Sequence, residues 1–234
     1  MNSLEHRIDT VLSAIDTAAR STGRAGTDIV LVAVSKNHPV ELMNQASVLM
    51  QARGRPVVFG ENYLQEFSAK QPLIQGSCQV HMIGPLQSNK VARAVELFDL
   101  IESVHSEKVL RLIDAEAAKR GKVMPVYLQI NVSADPAKSG FATEEVARIC
   151  HQVLPQCRSI RCEGLMTITG LYEEAEQARP DFVRLRELAR GFPVTVSDGK
   201  PLALSMGMSS DFAVAIAEGA THVRIGSAIF GDRG

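Results

Sequence analysis

The feature that most constrains this chain is an alternation. Short apolar runs, many of them β-branched, recur at 29–34, 57–59, 80–83, 100–104, 126–132, 160–168, 202–206 and 223–229, which makes eight. Stretches with helical periodicity lie between them, at 40–52, 89–98, 107–119, 144–154, 173–188 and 211–218. A strand that returns parallel to its predecessor needs a crossover, and a helix is the usual one. The alternation therefore predicts a parallel sheet covered by helices. Eight units within roughly 200–250 residues suit a closed (β/α)8 TIM barrel. One barrel over 1–234 would use the whole chain, with an amphipathic first helix carrying Leu4, Ile8, Val11, Leu12 and Ile15 on one stripe. An open doubly wound sheet shares the pattern and stays as the alternative. No GxGxxG follows the first run, which weakens the dinucleotide-binding version of it.

Composition excludes several function classes. The basic and acidic residues number 25 and 26, for a formal net charge of −1, and neither sign is clustered. A nucleic-acid groove or a membrane-binding face needs a concentrated basic patch, so no nucleic-acid or membrane partner is expected. The 1–20 segment carries charges throughout and reads as neither a signal peptide nor a span. Cys78, Cys150, Cys157 and Cys162 form no CxxC pair and have no histidine at metal-ligand spacing. They read as free thiols in a reducing compartment, and the protein as cytoplasmic. The stretch 191–201 is the richest in turn residues but sits inside the alternation.

Barrel active sites lie at the C-terminal ends of the strands, so the residues just after each run are the candidates. Lys36 ends the first, very apolar run. Partial desolvation there disfavours the ammonium and makes a nucleophilic amine available for a Schiff base. A lysine that merely snorkels at a strand end fits the spacing as well. The seventh and eighth runs are followed by Gly/Ser turns, with Ser205, Gly207 and Ser209 in one and Gly226 and Ser227 in the other. Small residues let backbone N–H groups approach an anion, serine hydroxyls add donors, and barrels often hold phosphate in these two loops. Ordinary turn chemistry and helix capping by Ser209 or Ser210 remain the plainer alternative.

A Schiff-base lysine opposite a phosphate cradle describes a site for pyridoxal phosphate (PLP). The segments LVAVSKNHP, FGENYLQE, HMIGPLQSNK, INVSADPAKSGF, GLMTI and LSMGMSSDFAVAIAEGATHVRIGSAIFG run in order through nearly the whole chain. In them the sequence resembles the pyridoxal phosphate homeostasis family, whose barrel is that of alanine racemase (PLP fold type III). The resemblance implies that Lys36 forms the Schiff base and that Ser205, Ser209, Gly226 and Ser227 lie in the phosphate-holding segments. It also implies that Arg224 faces the pyridine nitrogen, that Asn62 lines the cofactor and that Met166 packs near the ring. Ser210 stands where the family commonly has an acidic residue, away from these contacts.

The function so implied is PLP binding, carriage and homeostasis without established turnover, with apo PLP-dependent enzymes as acceptors. Arg224 stays protonated and disfavours protonation of the ring, which makes the ring a poorer electron sink. Racemisation also needs a second acid/base on the opposite face. In the resembling racemases that group is a tyrosine from a second β-domain, across a dimer. This chain is expected to lack that domain, which favours a monomer. Of Tyr63, Tyr127 and Tyr172, only Tyr63 falls near the mouth, where it is expected to be a packing residue. A weak amino-acid racemase stays as the alternative, as does a barrel enzyme that uses the Lys36 amine on another phosphorylated substrate. Lys138, in a loop expected to be flexible over the mouth, is a candidate secondary acceptor, and Lys90 a candidate anion contact. His81 reads as a satisfied core histidine, and His38 and His105 as weak candidates.

Overall fold

The computed structural model describes residues 3–170, 172–192 and 201–231. Most of the turn-rich stretch 191–201 lies outside the described residues. Among them, eight parallel strands close in chain order into a barrel: β1 (Val30–Val34), β2 (Val58–Glu61), β3 (Gln79–Met82), β4 (Leu100–Val104), β5 (Met124–Gln129), β6 (Ile160–Met166), β7 (Ala203–Ser205) and β8 (His222–Ile225). Closure is made by β1 against β8, with Val30 opposite His222 and Val32 opposite Arg224. The open-sheet alternative falls with that pairing.

The helices form the outer layer: α1 (Leu4–Arg20), α2 (Val40–Ala52), α3 (Leu64–Lys70), α4 (Val91–Leu97), α5 (Glu107–Lys119), α6 (Val146–Arg148), α7 (Arg179–Arg190), α8 (Phe212–Ala217) and α9 (Ser227–Phe230). Local chemistry sets several of their ends. Ser3 and Ser106 cap α1 and α5 by accepting from the N–H groups of His6 and Val109, which satisfies donors that the first turn leaves open. The expected stripe is buried: Ile8, Val11, Leu12 and Ile15 all face the core.

The main core lies between sheet and helices. Leu31, Ala33, Phe59, Met82 and Ile101 from the strands meet Ile15, Met43, Met50 and Ile113 from the helices. A small separate cluster of Leu100, Tyr127 and Met166, with Ala203 against it, fills part of the barrel interior. Val32 and Ile83 close over Gly60 and add apolar filling, while the buried polar side chains Glu102, Ser205 and Arg224 carry the site.

Three of the departures from the sequence expectation have a readable local cause. The 223–229 run is a strand only to Ile225; Gly226 then caps the short α9, which turns Ile229 and Phe230 into the core. The expected helix at 144–154 splits into 3-10, α and π turns, and Pro155 lies in its last turn, Leu154–Gln156, where it can donate no backbone N–H. Helix α3 has no counterpart in the periodicity, because only Phe67 and Lys70 of its seven residues are buried. Among the described residues no helix is long and apolar enough to cross a membrane. All four cysteines are free, and burial pushes the thiols of Cys150 and Cys162 up to about 12.

Candidate functional site

Strand β8 aims Arg224 into the barrel, where it is 5% exposed. Its Nη1 donates to Ser205 Oγ at 2.8 Å and its Nη2 to the Thr167 carbonyl at 2.6 Å. Ser205 Oγ in turn donates to Glu102 Oε2 at 2.5 Å. His81 Nδ1 lies 2.7 Å from Glu102 Oε1. Side chains from β3, β4, β7 and β8 meet in this way only inside the barrel. Burial pushes the Glu102 carboxyl up, but the hydrogen bond and charge of His81, with Arg224 and His222 nearby, outweigh it and hold the group at about 2. Burial lowers the Arg224 guanidinium, against the charges of Glu102 and Asp211.

The two Gly/Ser turns stand side by side above this network, since Arg224 N–H donates to the Gly207 carbonyl. Gly207 has φ +92°, and a Cβ there would come within 2.6 Å of Ala215 Cβ, so the turn requires glycine. Asp211 braces the same turn by accepting from Met208 N–H and Thr169 Oγ1. Ser209 is exposed in the first turn and Ser227 in the second. A Cβ on Gly226 would sit 3.2 Å from the Val34 carbonyl, and no side chain caps the first turn of α9. The leading N–H groups of a helix's first turn have no intrahelical partner.

Lys36 is half-buried in the turn that follows β1, the strand paired with β8. Its backbone is strapped to α3 on both sides. Lys70 Nζ donates to the Ser35 carbonyl at 2.9 Å, and Glu66 Oε1 accepts from Asn37 N–H at 2.7 Å. Asn37 is in the left-handed region with φ +62°. Lys70 also pairs with Glu61 at 2.9 Å and Glu66 at 2.5 Å. Glu61 Oε1 accepts from Ser35 Oγ as well, while Oε2 is buried without a partner among the described residues. Burial raises the Glu61 carboxyl, opposed by Lys70 and Ser35.

Of the residues singled out from sequence, the fold gathers Lys36, Ser209, Gly226 and Ser227 at the C-terminal rim of the barrel, with Arg224 and Met166 below them. Asn62 follows β2 at the same rim, with its backbone against Gly84. Ser205 is separated from the serines of the turns: its hydroxyl is fully buried and its proton goes to Glu102. Lys138 is tied down, donating to the Thr169 carbonyl at 2.7 Å. Tyr63 is 51% exposed, in contrast to the packing role expected of it. It lines a groove of about 320 Å³ with Asn62, Leu86 and Lys90. His81 is buried and satisfied, and His38 packs against Phe230 with ring centroids 5.2 Å apart. A larger cavity of about 550 Å³ opens at the opposite, N-terminal end, beside Tyr127, Arg161, Glu163 and His222.

Sequence reasoning missed Glu102, the Thr167 carbonyl and the Glu61–Glu66–Lys70 strap. Glu102 carried a signal: a carboxylate inside an apolar strand run is almost never buried without a partner. Lys70 carried none, because its helix had no periodic pattern.

Comparison with known proteins bears on this geometry. The family model described as alanine racemase, N-terminal domain, matches residues 11–234. A pyridoxal phosphate homeostasis protein of Schizosaccharomyces pombe is 37% identical, over 100% of this chain and 94% of the relative. One from Pseudomonas aeruginosa is also 37% identical, over 100% and 97%. The structure of PipY from Synechococcus elongatus with PLP bound superposes with a TM-score of 0.81 at 33% identity, covering 98% of this chain and 100% of that one. An alanine racemase of Clostridium difficile, at 14% identity and a TM-score of 0.69, is matched over 59% of its length and shares the fold.

Proposed function

The chain belongs to the alanine racemase N-terminal-domain family, within the pyridoxal phosphate homeostasis proteins, and from that premise we propose that it binds PLP as a Schiff base on Lys36 and serves PLP homeostasis without catalytic turnover. One observation carries the reading. Paired strands β1 and β8 bring the Lys36 turn, the Gly226–Ser227 turn and the buried Arg224 to one end of the barrel. The residues fit the group: the N-terminal turn of α9 has no side-chain cap, and Gly226 approaches Val34 too closely for a larger residue to sit easily there.

Bound PLP supplies an aldehyde that condenses with a primary amine and a ring that can delocalise a carbanion. Lys36 would supply the amine. Backbone N–H groups at Gly226 and Ser227, with the hydroxyls of Ser209 and Ser227, would hold the phosphate. Met166 and Asn62 would bound the ring. Arg224 would donate to the pyridine nitrogen and, always protonated itself, leave that nitrogen without a proton. This disfavours carbanion chemistry and supports a carrier rather than an enzyme. Two of the three tyrosines support it too: Tyr127 OH lies 3.3 Å from His222 Nε2 at the far end of the barrel, and Tyr172 donates to Asp181. In this reading the protein is a cytoplasmic monomer that passes PLP to apo-enzymes. Free thiols without a disulfide fit a reducing compartment.

The weak-racemase alternative keeps one supporting observation, the exposed Tyr63 at the rim. Exchange of an amino acid's α-hydrogen with deuterated solvent separates the two readings. The test of the cofactor assignment is the absorption spectrum with PLP added, before and after borohydride. A visible band that reduction abolishes, absent from Lys36→Ala, is expected. No band in the unaltered protein overturns the assignment.

A further inference from the structure

We propose that Glu102, acting through Ser205, is the positioning residue that sets the Arg224 guanidinium against the ring of the bound cofactor. The inference rests on the PLP reading above and concerns residues that never touch the cofactor's phosphate or aldehyde.

The chain of contacts has one direction. The Ser205 hydroxyl has a single proton, and at 2.5 Å it goes to Glu102 Oε2. The same oxygen therefore offers its lone pair to Arg224 Nη1 at 2.8 Å. Glu102 cannot swing away, because its other oxygen is held by His81 Nδ1 at 2.7 Å. The second edge of the guanidinium is fixed by the Thr167 carbonyl at 2.6 Å. Two anchors on one planar, rigid group determine its plane and height, and they use two of its five N–H donors.

Charge balance explains why a carboxylate stands at the base of this chain. Arg224, Ser205, Glu102 and His81 are all buried, and an isolated guanidinium there would be strongly unfavourable. Glu102 compensates it from one hydroxyl away. A direct ion pair would draw the guanidinium into the barrel and spend its donors on the carboxylate. The inserted serine keeps the positive head toward the rim, with donors left for a ring nitrogen. Linked hydrogen bonds in a low-dielectric interior also polarise one another, so the charge on Glu102 is felt at Arg224. A purely structural Glu102 would affect stability and leave the bound cofactor's electronic state alone.

The experiment compares the unaltered protein with Glu102→Gln, which keeps the shape and an acceptor oxygen but removes the charge. PLP is added to each, and the absorption maximum, the PLP dissociation rate and borohydride fixation to Lys36 are read. For the variant the expected result is a displaced maximum and dissociation faster by about fivefold or more, with fixation to Lys36 retained. Ser205→Ala, which loses one oxygen and no charge, should move both readings in the same direction, and it decides the matter should Glu102→Gln fail to fold. Folded variants with an unchanged maximum and rate overturn the positioning role while leaving the PLP reading intact. An unaltered protein with no band overturns both.

Discussion

Glu102 sits on the inward face of β4 with no exposure and holds its charge down to about pH 2. His222, near the other end of the barrel, behaves oppositely. Burial first, then the charges of His81 and Arg224, lower it from 6.5 to about 4, with Glu102 opposing. The two groups load stability onto separate pH windows. As pH falls through 6.5 toward 4, the unfolded chain takes up a proton that folded His222 does not, so stability declines there. Glu102 adds stability above its ordinary 4.5, and that is lost only as pH falls on toward 2. Urea unfolding of His222→Gln should show a shallower decline between pH 6.5 and 4 than the unaltered protein. An identical slope would place the titration elsewhere.

At the scale of elements, α3 matters beyond its length. Its Lys70 and Glu66 hold the backbone on either side of Lys36, including the left-handed Asn37. Lys70 is a buried cation between two carboxylates, and its removal would leave the Glu61 carboxyl buried and short of partners. Breaking a buried pair in this way costs about 3–5 kcal/mol. Lys70→Met should therefore lower the unfolding free energy by about that much, and equilibrium dialysis should show weaker PLP retention because the turn bearing Lys36 loses an anchor. Retention unchanged in a destabilised variant would confine the strap to stability.

At the scale of the molecule, α1 clasps the two ends of the chain. It packs on α2, α8 and α9, and Arg7 Nε donates to the Ile229 carbonyl at 2.6 Å, just past the last strand. Arg24, in the loop after it, reaches the Ala220 carbonyl at 2.8 Å, where β8 begins. The barrel seam between β1 and β8 thus lies beneath a helix that precedes both. Ile15 of α1 is fully buried. Ile15→Ala should cost about 2–5 kcal/mol in a single cooperative transition. A separate early transition in the denaturation curve would show α1 to be a detachable arm.

The sequence alone determined the eight alternating strand and helix units, because strand and helix periods differ, and so narrowed the architecture to a closed barrel or an open sheet; the pairing of β1 with β8 decided between them. The sequence placed α2 and α5 at the bounds they occupy, since both bury residues at helical spacing, Val40, Met43, Ala46, Ser47 and Met50 in one and Val109, Leu110, Ile113 and Ala117 in the other. It also located the rim residues Lys36, Asn62, Ser209, Gly226 and Ser227, because the ends of parallel strands share one face of the molecule. The tertiary structure decided what those strands hold between them. Glu102, Ser205 and Arg224 are 103 and 19 residues apart along the chain in successive steps. Only barrel closure brings them to hydrogen-bonding distance, and so only closure could show Ser205 to be a link to Arg224. Likewise α3 has too short a buried face to write a period into the sequence, and the strap it forms around Lys36 exists only once β1 and β2 lie side by side.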